Sequence, residues 1–224
     1  MNSSPPSGRR SVRHLLLATL LAVSLIISLT PLGHLFPASF VPTAHAASAF
    51  TSGNVVVYRV DGGSSTLGAT ATPVFLDEFN PNVSSPAAPV QSIAMPTATS
   101  GSNRKLTASG SAASEGLLTR SADGKYLLLT GYDATVNTAA VAGTSTSVVS
   151  RVVGRVDGNA NIDTTTALTD AFSGGNPRSA ASTNGTDIWV TGSTSGVRYT
   201  TLGATSSISV ASREHGRTLR LFLC

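Results

Sequence analysis

Residues 121–131 read SADGKYLLLTG, and residues 182–192 read STNGTDIWVTG. Both stretches run through a Ser, an Asp or Asn followed by Gly, three apolar residues and a closing Thr-Gly. Aligned, Ser121 meets Ser182, and Asp123-Gly124 meets Asn184-Gly185. Leu127-Leu128-Leu129 then meets Ile188-Trp189-Val190. Asp-Gly and Asn-Gly tolerate the positive φ of tight hairpin turns, so each stretch predicts a chain reversal followed by a strand. Two further echoes join Arg59-Val60-Asp61-Gly62 to Arg155-Val156-Asp157-Gly158, and Thr66-Leu67-Gly68-Ala69-Thr70 to Thr201-Leu202-Gly203-Ala204-Thr205. Recurrence of a hairpin unit at several tens of residues marks a repeat architecture.

The chain around these stretches has the texture of strands. Val, Thr, Ser, Ala and Gly dominate, and apolar residues come in short runs bounded by turn residues. Strands are predicted at 54–60, 73–79, 89–95, 116–120, 125–131, 148–157, 187–192 and 196–202. Turns are predicted at Asp61-Gly62-Gly63, Asn80-Pro81 and Asp157-Gly158, besides the two quoted hairpins. Residues 96–114 and 137–147 are small and polar and read as mobile loops. The expected class is all-β, with no convincing amphipathic helix in the body.

S-x-[DN]-G-x-x followed by three apolar residues resembles the blade hairpin of a β-propeller. VFLDEFNPNVSSPAAPVQSIAMP (74–96) is similar to a propeller strand, an Asn-Pro turn and a returning strand that ends in Pro. Together they resemble exported bacterial proteins with propeller-like repeats, over roughly residues 53–210. That likeness implies an architecture and no particular activity. The two hairpins stand sixty-one residues apart, where a blade takes about 40 to 50; the 137–147 loop is expected to absorb the difference. The alternative reading of the same strands is a β-sandwich.

The two ends differ from the body. Arg9, Arg10 and Arg13 precede the uncharged apolar run Leu15–Leu29, and Ala44-His45-Ala46 offers a small-x-small cleavage site. Residues 1–46 therefore read as a signal peptide with an apolar helix, which places the mature chain outside the cell or on its surface. The net charge of +4 rests on the ends: residues 47–212 carry nine basic and ten acidic groups. A body near neutrality has no electrostatic footprint for nucleic acid, or for an anionic membrane once the signal is removed. Residues 213–224 hold three Arg and one Glu, after only five charged residues from Asn161 to Ser212. This atypical tail sets the expectation of a truncated propeller, whose unpaired strand edges would invite self-association.

Chemistry is limited by what the body lacks. The four His are His14, His34, His45 and His215, and the single Cys is Cys224, so residues 47–212 contain neither type. Ser-His-Asp and Cys-His nucleophile systems need an imidazole, and His- or Cys-built zinc sites need those ligands. Neither GxxxxGK[ST] nor GxGxxG occurs. Asp77 and Glu78 are neighbours on a strand and point to opposite faces, so they do not form a paired acid and base. Glu115, Asp133, Asp170 and Asp187 each read as solvated surface carboxylates. Asp157, Asn159, Asn161 and Asp163 alternate like the start of a Ca²⁺ loop. Ile162 stands where that loop needs Gly, however, and Leu168 where it needs Glu. A hairpin turn between VVGRV and IDTTT accounts for the same four residues. Trp189 reads as core, and Tyr58, Tyr126 and Tyr199 as strand residues.

The expected function is a non-enzymatic exported repeat module for binding or surface structure, with no cofactor and no catalytic residues. The alternative is a piece of an exported propeller hydrolase whose catalytic residues lie outside this chain. The mature protein is predicted to begin near Ala47. N-terminal mass spectrometry of exported material should read that residue, whereas an intact Met1 on membrane-bound protein would indicate an uncleaved anchor.

Overall fold

A computed structural model describes residues 47–61, 63, 66–86 and 88–211. The expected signal helix, Gly62 of the first turn and the 213–224 tail lie outside these residues. Twelve strands are present and no α-helix, so the chain is all-β among the described residues.

The hairpin that repeats is built the same way twice. In the first copy β5 (Thr119–Arg120) turns into β6 (Tyr126–Tyr132), and the Ser121 hydroxyl accepts the Tyr126 amide at 3.0 Å. Asp123 Oδ1 accepts the Lys125 amide, and Gly124 takes φ +74°. In the second copy β9 (Pro177–Ser182) turns into β10 (Asp187–Gly192). There Ser182 Oγ accepts the Gly185 amide at 2.8 Å, and Asn184 Oδ1 accepts those of Thr186 and Asp187. Gly185 takes φ +78°. Side-chain oxygens stand in for backbone partners in both turns, which is why Ser and Asp or Asn recur at that spacing.

Each hairpin continues into a run of antiparallel neighbours. β6 pairs β7 (Arg151–Asp157), and β7 pairs β8 (Ile162–Leu168). β10 pairs β11 (Val197–Thr201), and β11 pairs β12 (Ile208–Ala211). The chain before them forms β1 (Val55–Val60) and β2 (Ala71–Phe79), with β3 (Gln91–Ala94) and β4 (Thr107–Ser109) both pairing β2. β4 also meets β6 at Thr107 and Tyr132, so β1–β8 make one sheet and β9–β12 a second. The other two sequence echoes also fall at strand ends: Arg59-Val60 and Arg155-Val156 close β1 and β7. Residues 66–70 and 201–205 lie ahead of β2 and β12.

The two sheets meet through residues sixty to sixty-two positions apart. The amides of Leu117, Ala122 and Asp123 donate to the carbonyls of Arg178, Ser182 and Thr183 at 2.9, 2.9 and 3.0 Å. The Thr119 hydroxyl donates to the Ala180 carbonyl; a bond of the same sequence span lies within the first sheet, where Asn103 Oδ1 accepts the Thr164 amide at 2.7 Å. Equivalent segments of the two copies thus lie side by side, with a parallel bridge at Leu117 and Ser179.

Burial explains the apolar triplet. Leu128 joins Val153, Leu168, Phe172, Ile188 and Val190 in a core shared by both sheets. Leu129 faces the opposite way, into Val74, Leu76, Leu106, Val152 and Val156. A strand covered on both faces reads as a continuous apolar run. β10 buries Ile188 and Val190 in the shared core, while Trp189 between them stays half-buried.

Four expectations need correction or addition. The 96–114 segment is not a plain loop: it contains β4, and Leu106, Thr107 and Ala108 are fully buried. The 137–147 segment does hold the extra length between β6 and β7, yet it is packed through a 3-10 turn at Val141–Gly143, with Val141 buried. Trp189 is half-buried, on the face away from Ile188, with its ring tilted against Tyr199 at 5.4 Å. The expected strands do not include β9 or β12: PRSAAS has only small side chains besides Pro and Arg, and ISVA is only four residues long.

Glycine substitutions should grade by geometry. A Cβ at Gly185 would overlap the Tyr126 ring and force a left-handed backbone that costs an L-residue about 1–2 kcal/mol. Gly124 shares the backbone demand but faces only the movable Arg120 guanidinium, and Gly158 faces open space. Thermal unfolding should rank Gly185→Ala as most destabilising, Gly124→Ala next and Gly158→Ala least.

Candidate functional site

A recess with mixed chemistry opens beside the first hairpin. About 420 Å³ lies between the Phe50–Asn54 segment, the turn at Arg120, Gly124 and Lys125, and the Asp157-Gly158 turn. The Phe50 amide donates to the Gly158 carbonyl at 2.9 Å, which pins the incoming segment across this end of the sheet. Arg120 is exposed and turns back so that Nε and Nη2 both donate to the Gly124 carbonyl, at 2.9 and 2.7 Å. Lys125 is 72% exposed, with Asp123 3.6 Å from its ammonium. Tyr126 forms part of the wall, its ring held beneath the Arg155 guanidinium at 4.7 Å. The recess therefore offers two cations, a turn carboxylate and aromatic edges, within the size range of small-ligand pockets.

A second cluster is closed. Glu115 is buried; one carboxylate oxygen accepts the Ser109 amide, and the other accepts Tyr132 Oη at 2.6 Å and Asn176 Nδ2 at 2.7 Å. Burial pushes its carboxyl group above the ordinary glutamate range, and these three donors only partly offset the effect. The Tyr58 hydroxyl is buried against Gly116, which needs its φ of +62° and its missing Cβ to let the ring in. Arg151 is buried as well, over the Tyr132 ring at 5.0 Å. Its guanidinium donates to the carbonyls of Val149 and Thr144 at 2.6 and 2.7 Å, and to those of Gly175 and Ala142 at 3.2 and 3.3 Å. The cation thus ties the β6–β7 connection to the approach to β9. Glu115 was expected at the surface; a single Glu in a polar stretch carries no sequence signal for burial.

The other carboxylates do not converge. Asp77 is bound by Arg59 and Ser92, and Glu78 by Thr51, Asn54 and Gln91, so these neighbours do face apart. Burial raises both, but the hydrogen bonds outweigh it and hold both carboxyls below their usual range. Asp133 pairs with Lys105, Asp170 with Arg198, and Asp187 accepts Tyr199 Oη at 2.6 Å. The calcium candidates form the β7–β8 hairpin turn. Asp157 Oδ1 accepts the amides of Asn159 and Asn161, each at 2.9 Å, and Oδ2 accepts Asn161 Nδ2. Asp163 turns instead to Arg155 and Thr165. Asp157 and Asn161 are brought together; Asp163 is committed elsewhere.

Replacing Arg151 by Met should remove the donors to four buried or half-buried carbonyls and cost on the order of 3 kcal/mol. Hydrogen exchange should speed up across residues 141–149. Arg151→Lys should recover only part of the loss, since one ammonium cannot span those acceptors.

Neither protein-family models nor curated proteins give a match to this chain.

Proposed function

We propose that this chain is an exported, non-enzymatic β-repeat module that binds a ligand or builds a surface structure, its sheets being units of a propeller-like array. The observation that carries the reading is the side-by-side docking of the two S-x-[DN]-G hairpins, residues 117–123 against 178–183. Repeats that stack by equivalent segments build a scaffold on which turns present binding groups. Support for export comes from the Arg9–Arg13 cluster, the apolar run after it and the Ala44-His45-Ala46 site. The binding groups favoured here are Arg120 and Lys125 beside the recess at the first turn. They are the cations of that wall, and both are exposed.

The test is a thermal-shift panel of anionic and neutral saccharides and short acidic peptides, run on the full chain. An anionic ligand should raise the melting temperature, and Arg120→Ala with Lys125→Ala should weaken its binding about tenfold or more, as expected for loss of charge-assisted hydrogen bonds. Ligand-independent turnover of ester or glycoside substrates, abolished by Glu115→Gln, would overturn the non-enzymatic reading.

A further inference from the structure

We propose that the outward face of the second sheet, lined by Trp189, Tyr199 and Ile208, docks a second copy of this chain. The partner copy covers it with the outward face of its own β1 and β2. This docking is independent of what the recess binds. Trp189 stands directly opposite Tyr199, and Tyr199 opposite Ile208, so the three side chains share one face of β10, β11 and β12. In the aligned hairpins Trp189 occupies the place of Leu128. The Leu128 face of the first sheet is covered by the second sheet, through Ile188 and Val190. The same face of the second sheet has no such cover among the described residues. None of Trp189, Tyr199 and Ile208 joins or packs on a core cluster there, and Ile208 is 63% exposed.

The joint between the two sheets shows what kind of surface covers such a face. Ile188 and Val190 are β-branched residues two apart on one strand, so they project together. Val55 and Val57 repeat that pattern on β1, at 50% and 44% exposure, with Phe79 opposite Val55 on β2. The other side of the same strand is committed, because Val56, Tyr58 and Val60 pack against the core. One chain thus carries two unpartnered apolar faces, one on its first two strands and one on its last three. Single exposed valines are ordinary on a protein surface, but contiguous apolar rows mark contact sites. Each face includes an end strand, β1 or β12, whose outer edge pairs with no described strand. The two faces differ, so the contact is head-to-tail and builds a ring or an open array. The polar groups on both are already satisfied. Asp187 accepts Tyr199 Oη at 2.6 Å and Asn184 Nδ2 at 2.9 Å, and Arg59 is held by Asp61 and Asp77. Covering either face therefore strands no charge without a partner.

Trp189 is the single tryptophan of the chain, so its fluorescence reads this face alone. On the full chain, raising the concentration from micromolar to millimolar should shift its emission to the blue and shield it from iodide. Light scattering should show the mass rising in step. Ile208→Lys and Val57→Lys both replace exposed residues and should leave the fold intact by circular dichroism. Each should raise the concentration needed for the shift at least about tenfold, because an ammonium would be buried without a partner.

Mixing the two variants tests the head-to-tail geometry. Val57→Lys keeps the Trp189 face and Ile208→Lys keeps the β1 face, so an equimolar mixture should recover part of the shift and yield a one-to-one complex. Trp189 emission that stays constant with concentration would overturn the proposal. So would a shift that Val57→Lys leaves in place, since the Trp189 face would then be covered by something other than β1. A mixture that recovers nothing counts against it equally. Ile208→Lys should bind anions at the recess as the wild type does, so loss of association and loss of ligand binding are separate results. Where either variant fails to fold, Val55→Lys and Ile208→Glu carry the same comparison.

Discussion

Backbone amides of residues 117–123 reach across to the carbonyls of residues 178–183, and the rest of the molecule is arranged around that contact. It joins the two sheets without merging them, because only a short parallel stretch is shared. Everything larger follows from the alignment it imposes. Leu128 from the first sheet meets Ile188 and Val190 from the second, and Gly185 closes on the Tyr126 ring. A Cβ on that glycine would push the second hairpin off the first, so a turn requirement and a docking requirement fall on one residue.

Polar burial carries an unusual share of the joint. Arg151, Glu115 and Thr130 are all inside, and each bonds one of residues 175–177 at the start of the second sheet. Small residues give this chain little apolar surface per strand, so hydrogen bonds supply specificity that larger side chains would otherwise provide. Networks of this kind are stringent: the loss of one donor strands several acceptors in a medium where water cannot replace it. Tyr58 Oη is the exception, a buried hydroxyl without a hydrogen-bond partner among the described residues.

The recess at the first hairpin and the stacked face at the second are the same turn in two settings. At the second, Ala181 is small and the Tyr126 ring covers Gly185. At the first, the position sixty-one residues earlier is Arg120, whose guanidinium folds over Gly124 instead. One substitution at an equivalent position therefore separates a closed joint from an open, cationic one.

Turn chemistry and apolar runs were legible in the residues themselves, because Ser, Asp, Asn and Gly act within a few positions of where they stand. The repeated hairpin, eight of the strands (six of them to within two residues at both ends), and the Asp157–Asn161 turn all have local causes of that kind. The sequence by itself also determined the absence of imidazole and thiol from the body. Tertiary structure alone decided that Asp77, Glu78 and Glu115 are the buried carboxylates, where Trp189 faces, and that Leu106 and Val141 are core residues in stretches that look like loops. Burial depends on what arrives from elsewhere in the chain. Tyr58, Glu115, Tyr132, Arg151 and Asn176 span more than a hundred residues, and no local pattern records that they meet.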